Sequence, residues 1–104
     1  MTSADRLAAL GAHFGSRRDA LVADLEALVV RESPSDDAGR VTVLARHVAE
    51  RLAGRGVEAA TVPCPGRGDA LVARSGFGGG TLLLGHLDTV WPAGTLAEIP
   101  FRVA

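Results

Sequence analysis

Apolar residues recur along the first third of the chain at intervals of three, four and seven, the spacing of one face of an amphipathic helix. The members of this stripe are Leu7, Leu10, Phe14, Leu21, Leu25 and Leu28. Ser16 followed by Asp19 is a partial capping signal, so the pattern predicts a strong helix from about residue 17 to residue 30. The segment before it is a weaker helix candidate because it contains Gly11 and Gly15.

A second helical stripe follows the polar break at residues 33–37. Its apolar positions are Val41, Leu44, Val48 and Leu52, with Ala45 and Ala49 on the flank. Asp36 or Asp37 can cap the start of this helix, because short polar side chains accept hydrogen bonds from the first free amides. The stripe stops at Gly54 and Gly56, where glycine suits the left-handed turn that ends many helices.

The remaining segments have the short apolar runs of strands rather than the spacing of helices. Residues 57–62 and 70–73 are predicted strands, joined by a Pro- and Gly-rich loop at 63–68. After a glycine-rich break at 76–80, the run at 81–86 is apolar without alternation, which is typical of a strand covered on both faces. The order of two helices and three strands predicts the opening part of a mixed α/β domain.

Composition narrows the function classes. The 104 residues suffice for one small domain, and 47% apolar with 22% charged residues is ordinary for a globular chain. A net charge of −1, scattered arginines and only four aromatic residues argue against a nucleic-acid surface.

Cys64, the only cysteine, excludes an internal disulfide and is interpreted as a loop thiol without a role. No secretory signal or membrane-spanning stretch is visible, so a cytoplasmic location without membrane association is expected.

One pair of residues carries candidate chemistry. His86 and Asp88 are two positions apart, so on an extended backbone their side chains project to the same side. A metal-bound histidine needs its second ring nitrogen held, and carboxylates often do this. The pair also falls at the carboxyl end of a predicted strand, where open α/β sheets bind ligands. By spacing alone the pair is weak evidence, because such pairs occur by chance on many surfaces.

The longer segment 82–92, Leu-Leu-Leu-Gly-His-Leu-Asp-Thr-Val-Trp-Pro, closely resembles the first metal-binding motif of the M20 family of metallopeptidases. The following Ala-Gly-Thr-Leu and Pro-Phe-Arg-Val also resemble that family, as do Leu28-Val29, Glu-Ser-Pro-Ser at 32–35, Leu52 and Gly56. The resemblance covers the chain from about Leu21 onward. The sequence that follows Asp88, Thr-Val-Trp-Pro-Ala-Gly-Thr, is most similar to the glutamate carboxypeptidase branch of that family.

The resemblance implies a zinc-exopeptidase-type catalytic domain with a two-zinc (Zn2+) site. By matching position, His86 would be a metal ligand and Asp88 the catalytic carboxylate that supports it. The reaction implied is hydrolysis of a C-terminal peptide or N-acyl amide bond in a small peptide or N-acyl amino acid. The family's bridging Asp, Glu-Glu pair and final His have no counterpart here. Residues 1–104 are therefore expected to be an N-terminal portion of the domain, truncated before the bridging Asp and inactive alone.

Other interpretations stay open beside this one. The chain could be a small non-enzymatic α/β interaction module in which His86 and Asp88 are incidental. Trp91 and Pro92 either line a substrate pocket or pack the loop.

His13 and His47 are expected to be ordinary surface or boundary histidines. The glycines at 76–80 lack the following helix and lysine of a phosphate-binding loop. The oligomeric state and the particular amide substrate are not indicated.

Overall fold

A computed structural model of the protein describes residues 1–76 and 80–104. Its elements, in chain order, are α1 (Ser3–Ser16), α2 (Arg18–Val29), α3 (Ala38–Ala53), β1 (Glu58–Val62), β2 (Ala70–Arg74) and the short α4 (Thr95–Glu98). The two strands form an antiparallel sheet. The described chain is therefore a mixed α/β structure, as the sequence predicted at this coarse level. The glycine-rich break predicted at 76–80 lies largely outside the described residues.

The first apolar stripe forms two helices. Helix α2 has nearly the predicted bounds, while the segment thought weaker is the complete helix α1 of 14 residues. Thr2 and Asp5 form a capping box that starts α1, which offsets the low helix propensity of its two glycines. The predicted cap at Ser16 is wrong: Arg17 precedes α2 without a side-chain cap, and the Ser16 hydroxyl donates to the His13 carbonyl.

Helix α3 carries the core of the structure. Asp37 caps its start by accepting the Arg40 N–H at 3.0 Å. Its end is a glycine turn, in which Gly56 has a φ of 78° and the Val57 N–H donates to the Leu52 carbonyl. Both predictions are thereby confirmed. No helix among the described residues combines the length and the apolar character that crossing a membrane requires.

The strands β1 and β2 form a hairpin against which α3 packs. The register pairs Glu58 with Arg74 at one end and Val62 with Ala70 at the other, around the predicted loop. Thr42 on α3 accepts the Asp69 N–H at 2.9 Å, so the loop is tied to the helix as well. The buried apolar side chains of the described residues are Val41, Leu44 and Ala45, all from α3. This core is small, because the apolar stripes of α1 and α2 stay largely exposed.

An ion-pair group joins α2 to α3. Asp24 on α2 pairs with Arg51 and with Arg55, the latter at 3.2 Å. All three side chains are partly exposed, so the pairs contribute modestly to stability. Arg51 belongs to α3 and Arg55 follows its end, so the pairs link α2 to the C-terminal end of α3.

The predicted third strand at 81–86 is wrong. The segment has no regular secondary structure, and Leu82, Leu83 and Leu84 are 82%, 92% and 89% exposed rather than buried. A strand requires a neighbour to pair its backbone groups, and among the described residues this segment pairs with neither edge of the β1–β2 hairpin. Within the described residues, the one backbone bridge outside that hairpin joins Pro34 to Thr89, just beyond the apolar run.

The helix cap offers a direct test of the α3 assignment. Replacing Asp37 by alanine should lower the free energy of unfolding by about 0.5–2 kcal/mol, because the Arg40 amide loses its acceptor. Replacing the neighbouring Asp36 removes the same charge without removing the cap and should change stability little. Urea denaturation followed by circular dichroism compares the two variants. Equal losses would show that Asp37 acts through charge and not as a cap.

Candidate functional site

The segment 32–35, between α2 and α3, holds the loop that carries the candidate residues. The Thr89 N–H donates to the Ser33 carbonyl at 2.8 Å, and the Ser35 N–H donates to the Thr89 carbonyl at 3.0 Å. These two bonds form a parallel bridge between Pro34 and Thr89. The buried Ser33 hydroxyl adds a bond of 2.7 Å to the Leu87 carbonyl. Residues more than 50 positions apart are thus joined beside His86.

His86 and Asp88 lie together, as their spacing predicted. The imidazole Nδ1 is 2.8 Å from the Asp88 carbonyl oxygen and 3.4 Å from the Asp88 Oδ1. A carbonyl oxygen can only accept, so Nδ1 carries the proton of the neutral ring and Nε2 keeps a free lone pair. The His86 side chain is 82% exposed. Its free nitrogen is therefore open to a ligand.

The peptide between Asp88 and Thr89 fixes this arrangement. Its N–H points to the Ser33 carbonyl, and the described peptide bonds are all trans. In a planar trans peptide the C=O points opposite to the N–H. The Asp88 carbonyl is consequently turned toward the His86 ring. The bridge to segment 32–35 therefore holds the Asp88 carbonyl in the position where it contacts His86 Nδ1.

The Asp88 carboxylate is held by a second contact from the same segment. The Ser35 hydroxyl donates to Asp88 Oδ2 at 2.6 Å. This hydrogen bond is the main cause that keeps the pKa of Asp88 below its usual value, with a smaller contribution from His86, and it outweighs the opposing effect of desolvation. Asp88 is therefore ionised at neutral pH, with Oδ1 the oxygen nearer the imidazole.

Glu32 holds the far end of the loop. Its carboxylate accepts the Gly94 N–H at 2.5 Å and the Leu96 N–H at 2.9 Å. The hydrogen bonds from these two backbone amides lower the pKa of Glu32, and the one from Leu96 has the largest effect. The charge of Arg40 adds a smaller effect in the same direction. Gly94 has a φ of 99°, a conformation that a residue with a Cβ adopts only with strain. Glu32 thereby holds the turn that begins α4.

An open groove of about 550 Å³ runs beside His86. One wall comes from α2 and α3, and the other from the loop and α4; the apolar lining residues include Leu28, Val29, Leu44, Leu87, Trp91, Pro92, Leu96 and Ile99. Trp91 and Pro92 therefore line the groove, which agrees with one of the two interpretations left open. Pockets that are mostly apolar with a few polar groups are typical of small-molecule sites.

The donor set fits part of a metal site. His86 offers a free Nε2, and its other nitrogen is held by a backbone carbonyl, as for metal-binding histidines in general. Asp88 supplies a carboxylate beside it. Across residues 1–76 and 80–104, however, no three His, Cys, Asp or Glu side chains converge to hold a metal. Zinc needs about four ligands, so these residues fit one ligand position and its support.

The other residues considered from the sequence lie elsewhere. His13 is on the exposed surface of α1, and His47 is half-buried on α3. Asp37 caps α3. The Cys64 thiol lies in the hairpin loop and is 3.6 Å from the Val62 carbonyl. None of them joins His86 and Asp88.

Three residues of the site were missed as functional candidates by reasoning from sequence. Glu32, Ser33 and Ser35 appeared there only as part of a break between helices and of a family resemblance. The available signal was their type: a glutamate and two serines around a proline, next to a helix end. Their partners lie 53–64 positions away, so spacing in the sequence could not indicate the contacts.

No protein-family model, curated protein or solved structure matches the chain. What the protein does must therefore be inferred from its own residues and their geometry.

Proposed function

We propose that this chain supplies the first metal-ligand segment of a zinc-dependent exopeptidase or amidohydrolase of the M20 type. In this proposal His86 is a zinc ligand through Nε2, and Asp88 is the catalytic carboxylate that supports the site. The observation that carries it is the hydrogen bond from His86 Nδ1 to the Asp88 carbonyl. In the neutral ring that bond places the proton on Nδ1, so the lone pair is on Nε2 of an exposed side chain, while the Asp88 carboxylate lies on the Nδ1 side.

The two side chains have complementary tasks. His86 donates the Nε2 lone pair. Because its ring orientation is already held at Nδ1, less conformational entropy is lost when a cation binds. Asp88 carries a negative charge near neutral pH, and the hydrogen bond from Ser35 lowers its pKa further below the usual value. Asp88 Oδ1 lies 3.4 Å from Nδ1, and a negative charge beside the ring favours a cation at the imidazole.

The groove supports the substrate class. Its apolar walls adjoin His86, so the apolar part of a small peptide or N-acyl amino acid can lie there while its amide faces the imidazole. Bound zinc would make water a nucleophile near neutral pH, which is the chemistry needed to hydrolyse a peptide or N-acyl amide bond. The other ligands and the general base must come from outside the described residues, because those residues bring together only one His and one Asp. Residues 1–104 alone should consequently be inactive.

A zinc titration followed by NMR tests this assignment. Addition of Zn2+ should shift the ring resonances of His86 and leave those of His13 and His47 nearly unchanged. Binding should be weak compared with four-ligand structural sites, whose apparent free energies are about 10–16 kcal/mol. The variant His86→Ala should lose the response. Tight binding that persists in His86→Ala, or equal shifts in all three histidines, would contradict the proposal.

A non-enzymatic interaction module is the second candidate, and one observation favours it. The three leucines at 82–84 are almost fully exposed, and the stripe on α1 is uncovered in the same way. Large exposed apolar patches commonly mark contact sites with other molecules. On this hypothesis zinc should leave His86 unperturbed, so the same titration separates the two functions.

A further inference from the structure

Ser35 contacts the candidate site through both its backbone and its side chain. Its N–H donates to the Thr89 carbonyl at 3.0 Å, and its hydroxyl lies 2.6 Å from Asp88 Oδ2 and 3.1 Å from the Thr89 carbonyl. A hydroxyl has one proton to donate, and the shorter bond to a charged acceptor is the stronger. The Asp88 carboxylate is therefore its main partner.

We propose that Ser35 is a positioning residue, which holds Oδ2 of Asp88 so that Oδ1 faces His86 without displacing the Asp88 carbonyl from Nδ1. The supporting carboxylate would then act through Oδ1 alone. The effect of this role on metal binding rests on the proposed function. The positioning of the Asp88 carboxylate by Ser35 does not depend on that function.

The distances separate Ser35 from its neighbour Ser33. Ser33 is buried, and its hydroxyl binds the backbone at Leu87, so it holds the path of the loop. Ser35 is exposed, and its hydroxyl binds a side chain of the site itself. The backbone bridge at Thr89 does not need the Ser35 hydroxyl, because it uses only main-chain atoms. Removing the hydroxyl should therefore free the carboxylate and leave the loop in place.

Without Ser35, two features of the carboxylate should change. Rotation about the Asp88 side chain becomes possible, because a contact of 3.4 Å to Nδ1 is too long to hold it as a hydrogen bond. The freed group can also approach Nδ1 directly and compete with the Asp88 carbonyl. Both changes make the orientation of His86 less uniform.

The test measures the Asp88 rotamer by three-bond scalar couplings and the His86 ring by its 15N shifts, in the full chain without metal. In the wild type, Asp88 should populate one rotamer, and in Ser35→Ala the couplings should move to averaged values. Ser35→Thr, which keeps the hydroxyl, should restore the single rotamer. Ser35→Val has nearly the shape of Ser35→Thr and should behave like Ser35→Ala. Ser16→Ala, which removes a hydroxyl bonded within α1, serves as the control.

Protection of the Thr89 amide from exchange shows whether the bridge survives in each variant. A single Asp88 rotamer that persists in Ser35→Ala and Ser35→Val, with the bridge intact, would overturn the inference. So would averaged couplings in the wild type, a result that does not depend on any variant folding.

A zinc titration of the same samples tests the proposed function separately. Ser35→Ala should weaken the His86 response by at most about tenfold, the lower end of what removal of an outer-shell partner costs. If zinc does not bind His86 while the rotamer changes occur, the metal function fails and the positioning role of Ser35 stands.

Discussion

Replacing Leu44 by alanine should lower the free energy of unfolding by about 2–5 kcal/mol, the range for truncating a buried leucine. Leu44 is 5% exposed and lies between Val41 and the fully buried Ala45 on α3. These three residues are the buried apolar side chains of the described chain, so neighbouring groups have little capacity to fill the space. Small domains are marginally stable, and a loss of this size should remove most of the cooperative transition.

Val43→Ala is the matched control for Leu44→Ala. It removes apolar atoms from the adjacent position of the same helix, but Val43 is 55% exposed. Its effect should be within about 0.5 kcal/mol, as for most surface substitutions. Circular dichroism during urea and thermal denaturation measures both variants. Similar losses at the two positions would mean that α3 does not bury the predicted face.

The pH dependence of the loop should follow the ionisation of Glu32. Its pKa in the folded chain lies below the reference value of 4.5, because the Leu96 and Gly94 amides stabilise the carboxylate. The stabilisation is therefore complete above about pH 4.5 and is lost as the pH falls through the lower folded pKa. On acidification, the Gly94 and Leu96 amides should lose hydrogen-exchange protection before the amides of α3 do. Hydrogen exchange detected by NMR, corrected for intrinsic rates, measures this difference.

Two substitutions test whether Glu32 is the titrating group. Glu32→Gln has no charge to lose, so protection at residues 94 and 96 should become low at neutral pH and nearly independent of acidification. Glu26→Gln changes an exposed glutamate on α2 and should behave as the wild type. Acid-induced loss of protection that remains in Glu32→Gln would assign the effect to another carboxylate, with Asp88 the nearest alternative in the same loop.

Local patterns predicted α2, α3 and the two strands, because those elements are stabilised mainly by nearby residues, whereas the short α4 was not predicted. The stripe of α3, its Asp37 cap and its Gly56 turn all act within one or two helical turns. The hairpin joins adjacent segments through a short loop. The N-terminal helix is longer than its two glycines predict, because the Thr2–Asp5 capping box stabilises its start.

The segment 81–86 shows where local pattern is insufficient. An apolar run expresses a tendency to be buried on both faces, but burial needs a neighbouring strand and covering helices. Among the described residues no strand pairs with this segment and no helix covers it, and the three leucines are exposed. The apolar composition of this segment predicted burial. Burial depends on contacts with residues distant in the sequence, and the composition of a segment does not specify those contacts.

For the candidate site, the sequence by itself determined the chemistry: an imidazole and a carboxylate two positions apart, in a motif that resembles a metal ligand segment. The proximity of His86 and Asp88 followed from that short separation. Only the tertiary structure decided which ring nitrogen is free, which carboxylate oxygen faces the ring, and that Glu32, Ser33 and Ser35 hold the loop. The physical reason is that the loop carrying His86 and Asp88 is held by hydrogen bonds between residues 53–64 positions apart, which the local pattern of the sequence does not specify.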